Sequence, residues 1–119
     1  MKKETLDNIF VYGTLQHGQS RNYVLRGLNY EKATLCNYRK IEPENLDFPI
    51  ILKEEGFEVK GEIYFSVSKE LLESLDRIEG EGFLYHRIII EVETVQGKKV
   101  QAFTYYPDKK LIKHYHSSL

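Results

Sequence analysis

The sequence predicts an α+β fold: a small, mixed and mostly antiparallel β-barrel or curled sheet with flanking helices. Three observations lead there. Strand-like segments outnumber helix-like ones by about six to two, too few helices for a parallel doubly wound sheet. No internal period, low-complexity tract or linker interrupts the chain. Its 119 residues provide for one compact core and not for two. Residues 1–119 are therefore expected to form a single domain, with the core over 8–106 and a C-terminal tail over 107–119.

Each element has its own signal. Residues 8–13 are β-branched and aromatic up to Gly13, which predicts a buried strand feeding a loop. After Gly18, the near-helical spacing of Tyr23, Val24 and Leu28 predicts a short helix, with Ser20 or Asn22 as cap and Gly27 as stop. EKATLCNYRKI and FPIILK read as two strands separated by the turn formers Pro43, Asn45 and Asp47, and EEGFE predicts a further turn. VKGEIYFSV alternates Val59, Gly61, Ile63 and Phe65 on one side with Glu62 and Tyr64 on the other, the pattern of a half-buried strand. At Ser68 the period becomes helical. SKELLESLDRIE has Ser68 as N-cap, Glu70 near the positive end, Val67 placed to staple against Leu72, and Gly80 and Gly82 to end the helix. YHRIIIEVETV, QGKK and VQAFTYYP form a hairpin whose second strand stops at Pro107.

The composition excludes several classes of function. A hydrophobic share of 41% with 13% aromatics argues against disorder. A formal net charge of −1 leaves no overall field to recruit nucleic acid or an anionic membrane. An RNA-binding barrel would also need a basic, aromatic strand face. The basic group Lys109, Lys110, Lys113, His114 and His116 reads as part of a solvated tail. Apolar runs such as RIIIEV are too short to span a bilayer, and MKKETLDNIF has no apolar stretch behind its lysines. Cys36 is the single cysteine; it cannot form an intramolecular disulfide, and its strand position predicts a buried small hydrophobe. These features together predict a cytoplasmic protein.

Two places could carry chemistry. The first is the loop after the opening strand. Gly13, four residues, then Gly18-Gln19-Ser20 approaches a phosphate-binding loop but lacks its lysine, which opposes a nucleoside triphosphatase. A Gly-rich turn after a strand can still hold an anionic oxygen on its backbone N–H groups, although a plain turn is the simpler reading. The second is Glu79. Leu71, Leu72, Leu75 and Ile78 define one face of the helix, and Glu79 falls about 50° from its centre at roughly 3.6 residues per turn. A carboxylate facing apolar surroundings at the negative end of a helix binds its proton more readily than a free one, and such a group can act as base and then acid near neutral pH. Alternatively it turns out to water past Gly80 or pairs with Arg87.

Other polar groups carry less. His17, His86, His114 and His116 are scattered without zinc-site spacing, so no metal is expected. No G-x-S-x-G elbow exists. Tyr12, Tyr64, Tyr85, Tyr105 and Tyr106 occupy strand positions where packing is the default and one or two could put a hydroxyl into a pocket.

FVYGTLQHGQSRNYVL resembles the opening of the γ-glutamylcyclotransferase-like proteins, a strand entering a Tyr-Gly-Thr/Ser-Leu loop followed by Gly and Asn, here Tyr12, Gly13, Thr14, Leu15, Gly18 and Asn22. A second block, Gly61-Glu62-x-Tyr64, then Leu75-Asp76-x-x-Glu79-Gly80, then Tyr85-x-Arg87, is similar to the rest of that pattern, and Tyr105 in AFTYY is a third echo. The resemblance covers residues 8–106 and is nearest to the small γ-glutamylamine cyclotransferase-like, avirulence-induced-gene-like members. It implies a compact β-barrel with flanking helices and a pocket under the Tyr-Gly-Thr-Leu loop. It implies Glu79 as the catalytic residue and Tyr12, Gly13, Thr14, Leu15, Tyr85 and Tyr105 around the substrate, with no cofactor. The implied reaction turns a γ-glutamyl amine or amide into 5-oxoproline and free amine in a monomer or weak homodimer. Glu81, two residues beyond Glu79, would couple to it if it entered the same pocket. A non-catalytic module of the same fold that binds a small amino-acid-like ligand is the rival; a partly buried carboxylate that costs desolvation favours the enzyme.

Overall fold

The computed structural model describes residues 6–44 and 48–117. Five strands, β1 (Ile9–Val11), β2 (Tyr30–Ile41), β3 (Ile50–Tyr64), β4 (Tyr85–Thr94) and β5 (Lys99–Pro107), close into a barrel in the order β1-β3-β2-β4-β5. The ladder between β1 and β5 is parallel, with Ile9 opposite Phe103, and the others are antiparallel. Helix α1 (Lys69–Glu79) follows β3, and helix α2 (Lys109–Ser117) follows β5. This is the mixed, mostly antiparallel barrel that the strand count predicts.

Side chains alternate across each strand, so a closed sheet generates two apolar layers. Phe10, Ala33, Leu35, Ile51, Val59, Ile63, Ile90, Val92 and Ala102 come from all five strands and form one cluster with Tyr12. Ile9, Val11, Ile50, Tyr64 and Tyr105 belong to the second cluster, together with Leu75 of α1 and Leu111 of α2. β1 contributes to both, and all three of its residues are buried.

The helix signals act as read. The Ser68 side chain accepts the Leu71 N–H at 3.1 Å, and Gly80 adopts the left-handed conformation (φ 65°) that ends α1. Val67 is buried in the helix-side cluster, against which Leu72 packs.

Several expectations are corrected. EEGFE does not reverse the chain. β3 runs through it, and Gly56 (φ 88°) faces Asn37 (φ 67°) in a wide bulge where the register jumps from Cys36↔Glu58 to Tyr38↔Lys53. The Asn37 side chain accepts the Gly56 N–H there at 3.4 Å, so a turn composition is used to bend a strand instead. The segment after Ser20 forms only a single 3-10 turn, Asn22–Leu25, because Asn22 spends its side chain on the preceding loop and not on a cap. Glu62 and Tyr64 are buried along with Ile63, since β3 has packed neighbours on both faces at this point. Cys36 is exposed, one residue out of phase with the inward Leu35. The C-terminal segment, expected as a solvated tail, is the helix α2, drawn onto the barrel by buried Leu111. Of the turn residues Pro43, Asn45 and Asp47, the last two lie outside the described residues.

Gly61 is a contact point and not a turn. A Cβ there would meet the Val11 carbonyl oxygen at 2.4 Å and the Phe10 ring at 2.6 Å, so β1 can seat against β3 only because the side chain is absent. Gly61→Ala should cost about 3 kcal/mol by denaturant titration, at the upper end for overpacking. Gly97→Ala carries no such clash, because nothing lies within 4 Å of that position, and its cost comes only from a φ of 81°.

Candidate active site

β1 ends in a polar loop that lies over one end of the barrel. Gly13 O accepts the Gln16 N–H at 3.0 Å, which makes residues 13–16 a tight turn with Thr14 and Leu15 at its centre. The Arg21 N–H returns to Thr14 O (2.8 Å), and the Asn22 side chain donates to Leu15 O (2.8 Å), so the outgoing chain is tied to the incoming one. Asn22 also donates to the Tyr64 hydroxyl (2.8 Å), which donates to Glu62 Oε1 (3.1 Å), and the same oxygen accepts the His17 N–H (2.7 Å). A carboxylate only 8% exposed thus serves as the peg to which the loop is fastened. Burial pushes the Tyr64 hydroxyl up to about 12; the Asn22 hydrogen bond opposes this and the neighbouring Glu62 carboxylate adds to it.

Beside this turn lies a cavity of about 300 Å³. Tyr12, Gly13, Thr14, Leu15, Glu79, Tyr85 and Tyr105, the seven residues singled out in the sequence, all line it. The N–H groups of Gly13, Thr14 and Leu15 have no protein acceptor among the described residues. Turn N–H groups left unpaired at a cavity wall can receive an anionic oxygen.

The tyrosines are fixed by their hydroxyls. Tyr12 donates to Tyr105 O at 2.6 Å, Tyr85 to Pro49 O at 2.9 Å, and Tyr105 to Asp76 Oδ1 at 2.7 Å. Burial holds all three hydroxyls above the usual phenol range, and the Glu79 charge adds to this in each. They remain neutral donors and walls, not bases.

Glu79 is the last residue of α1, carried to the cavity by the apolar face of the helix and released into the left-handed turn at Gly80. Burial raises its proton affinity above that of an ordinary glutamate, and the Arg21 guanidinium partly opposes this. The alternative pairing with Arg87 does not form. Arg87 pairs with Asp76 at 3.3 Å, and Asp76 also accepts the Tyr105 hydroxyl. Glu81 is exposed and outside the cavity wall, where its Oε2 accepts the Arg87 N–H at 3.4 Å. Among the described residues, Glu79 is therefore the one carboxyl that faces the cavity.

Phe10, Val11, Ser20, Arg21, Phe48, Pro49, Ile78 and Leu84 complete the wall and were not expected as site residues. Ile78 had a signal in the apolar face of the helix. Arg21 had none, since an arginine in a polar loop reads as solvent-facing until the loop is folded. Among the described residues no group of three His, Cys, Asp or Glu could hold a metal ion, and no helix is long and apolar enough to cross a membrane.

A profile of the family described as Gamma-glutamyl cyclotransferase, AIG2-like, matches residues 9–118. The chain belongs to this family. A gamma-glutamylaminecyclotransferase from Homo sapiens is 32% identical over 99 residues, covering 76% of this chain and 64% of that protein. AIG2-like protein B from Arabidopsis thaliana is 28% identical over 103 residues, covering 86% and 59%. The chain thus spans less than two thirds of either relative's length. Among solved structures, an AIG2-like protein from Mus musculus superposes with a TM-score of 0.77 at 25% identity, covering 92% of this chain and 84% of that one. The gamma-glutamyl cyclotransferase, AIG2-like fold is the barrel described above.

A carboxyl whose proton affinity rises on folding destabilises the folded state when ionised and has no effect where it is protonated in both states. Glu79→Gln keeps the shape and removes the charge. The variant should melt higher than wild type at pH 7 to 8, and the difference should vanish as the pH falls below about 4, the range of a free glutamate. Melting curves across that interval measure it; an equal effect at every pH would mean that the side chain ionises as freely as in water.

Proposed function

We propose that this chain is a cyclotransferase that converts a γ-glutamyl amine or amide into 5-oxoproline and the free amine, with Glu79 as general base and then general acid. One observation carries the reading: among the described residues, the single carboxyl facing the cavity is desolvated and shares the wall with a turn whose N–H groups find no acceptor. The naming of a human relative as a gamma-glutamylaminecyclotransferase supports it. The cavity of about 300 Å³ lies at the small end of ligand pockets, which suits a substrate of amino-acid size.

The chemistry follows from these groups. The substrate enters with its α-nitrogen protonated, and Glu79 takes that proton. The freed amine attacks the γ-carbonyl carbon of the same molecule, forming the C–N bond of a five-membered lactam. The oxyanion that develops is held by the turn at Gly13, Thr14 and Leu15. Glu79 then returns the proton to the leaving nitrogen as the original amide C–N bond breaks, and it carries the second proton that the attacking nitrogen sheds to the departing amine, so the lactam nitrogen keeps one hydrogen and the amine leaves as its ammonium form. No water is consumed, and no protein nucleophile is needed because the substrate contains its own. Holding the glutamyl chain folded, against walls formed by Tyr12, Tyr85 and Tyr105, replaces a costly conformational search. Well-oriented intramolecular reactions gain roughly 7–11 kcal/mol in this way.

The elevated proton affinity of Glu79 has a use here. A weaker base would not take the ammonium proton, and the acid so formed would have been too strong to wait for the leaving amine. Tyr105 is oriented by Asp76, which is itself paired with Arg87.

The test is 5-oxoproline release from a panel of γ-glutamyl amines, amides and dipeptides. Wild type should turn over at least one of them, and Glu79→Gln should lower kcat by about 10²–10⁴, the usual value of a positioned acid–base group. Because the reaction starts from the carboxylate, kcat/KM should rise with pH through a midpoint above that of free glutamate, as the raised proton affinity requires. A folded wild type that binds panel members and releases no 5-oxoproline would be a binding module instead, and activity retained in Glu79→Gln would remove that residue from its role.

A further inference from the structure

Arg21 has no part in the chemistry above, yet it stands in the cavity wall. It and Glu79 are the two charged residues there among those described. Its backbone is fastened to the turn by the bond to Thr14 O, while no carboxylate among the described residues lies within ion-pair distance of its guanidinium. That guanidinium is close enough to act on the charge of Glu79 and on the Tyr85 hydroxyl. A cation held in a cavity wall with no paired anion among the described residues is placed to meet an anion that arrives with the ligand.

We infer that Arg21 recognises the free α-carboxylate of the γ-glutamyl head, so that this chain requires substrates whose α-carboxylate is unblocked. The inference rests on the cyclotransferase reading, and it follows from the shape of the head group. Ammonium and carboxylate share one carbon, so a substrate whose ammonium lies against Glu79 has its carboxylate only one carbon further on. The cavity offers a cation in that neighbourhood, and the guanidinium fork matches a carboxylate. This assignment leaves the N–H groups of Gly13, Thr14 and Leu15 for the developing oxyanion, so the two negative charges of the reaction have separate receptors. A simpler role for Arg21, limiting the proton affinity of Glu79, would act on every substrate alike.

Paired substrates separate the two roles. One is a γ-glutamyl amide; the other is the 4-aminobutanamide of the same amine, identical except that the carboxylate is replaced by hydrogen. In both, the free amine attacks the amide carbonyl and one proton passes from the attacking to the leaving nitrogen. The products are 5-oxoproline or 2-pyrrolidinone, plus the same amine. Wild type should prefer the γ-glutamyl amide in kcat/KM by roughly 10- to 100-fold, the usual value of a charge-assisted contact. Arg21→Ala should bring that ratio to within a few-fold of unity, and Arg21→Lys should keep part of it. Because it is a ratio, general damage to the fold or to Glu79 cancels. An unchanged ratio in Arg21→Ala overturns the inference.

Binding of the two products, followed by NMR shift changes in wild type and Arg21→Ala, needs no turnover. A preference for 5-oxoproline over 2-pyrrolidinone that disappears in the variant supports carboxylate recognition even if the cyclotransferase reading fails. Turnover without any such preference, in rates or in binding, would sink this inference and leave that reading standing.

Discussion

β1 is only three residues long, and the rest of the structure depends on how it is held. It pairs with β3 on one side and β5 on the other, so it is the strand that closes the barrel. Its hold on β5 is reinforced from outside the ladder: the Phe103 N–H reaches Asn8 O at 2.9 Å, and the buried Thr104 hydroxyl donates to Phe10 O at 2.9 Å. On the other side, the missing side chain of Gly61 lets β1 approach closely. With both faces buried, the strand supplies one residue to the interior layer and two to the helix-side layer. A strand so confined gives its C-terminal loop a fixed origin, and the Tyr12-Gly13-Thr14-Leu15 turn is that loop.

The loop would still be free to move if only its start were held. Its far end is anchored by Glu62 of β3 through His17, Tyr64 and Asn22. Tyr30 stacks between His17 and Tyr64, and so covers the same network with apolar area. Burying a carboxylate is costly unless it is hydrogen-bonded, and here the bonds that satisfy it are the ones that shape the cavity wall. Stability and positioning come from the same atoms.

Three carboxyls near the cavity meet three different fates. Asp76 is paired with Arg87 and bonded by Tyr105, which commits it to orienting that tyrosine. Glu62 is enclosed by donors. Among the described residues, Glu79 is the one of the three that is desolvated without such a set of partners, and the cation that acts on it, Arg21, is exposed and only moderates its proton affinity. Environment, not residue type, therefore selects the group suited to proton transfer, at some expense to the stability of the fold.

The local features were legible in the sequence because their causes are local. Ser68 and Gly80 bound α1, the alternation in 85–107 makes the hairpin, and the period of Leu71, Leu72, Leu75 and Ile78 turns Glu79 toward the apolar side. The two motif blocks placed the Tyr-Gly-Thr-Leu turn and Glu79 in one pocket, and the cavity contains both. Where the reading failed, distant partners decided. EEGFE has the composition of a turn, but pairing with β2 across Asn37 makes it a bulge. The last residues look like a tail until Leu111 finds the second apolar layer. Arg21 is one polar-loop residue among several until folding brings it and Glu79 into one cavity wall. By itself, then, the sequence determined the locally encoded elements, α1 and the last hairpin, and the family pattern, since propensity, period and caps act within a few residues. Only the tertiary structure decided which charges meet, because Coulomb forces and desolvation depend on distance in space and are blind to separation along the chain.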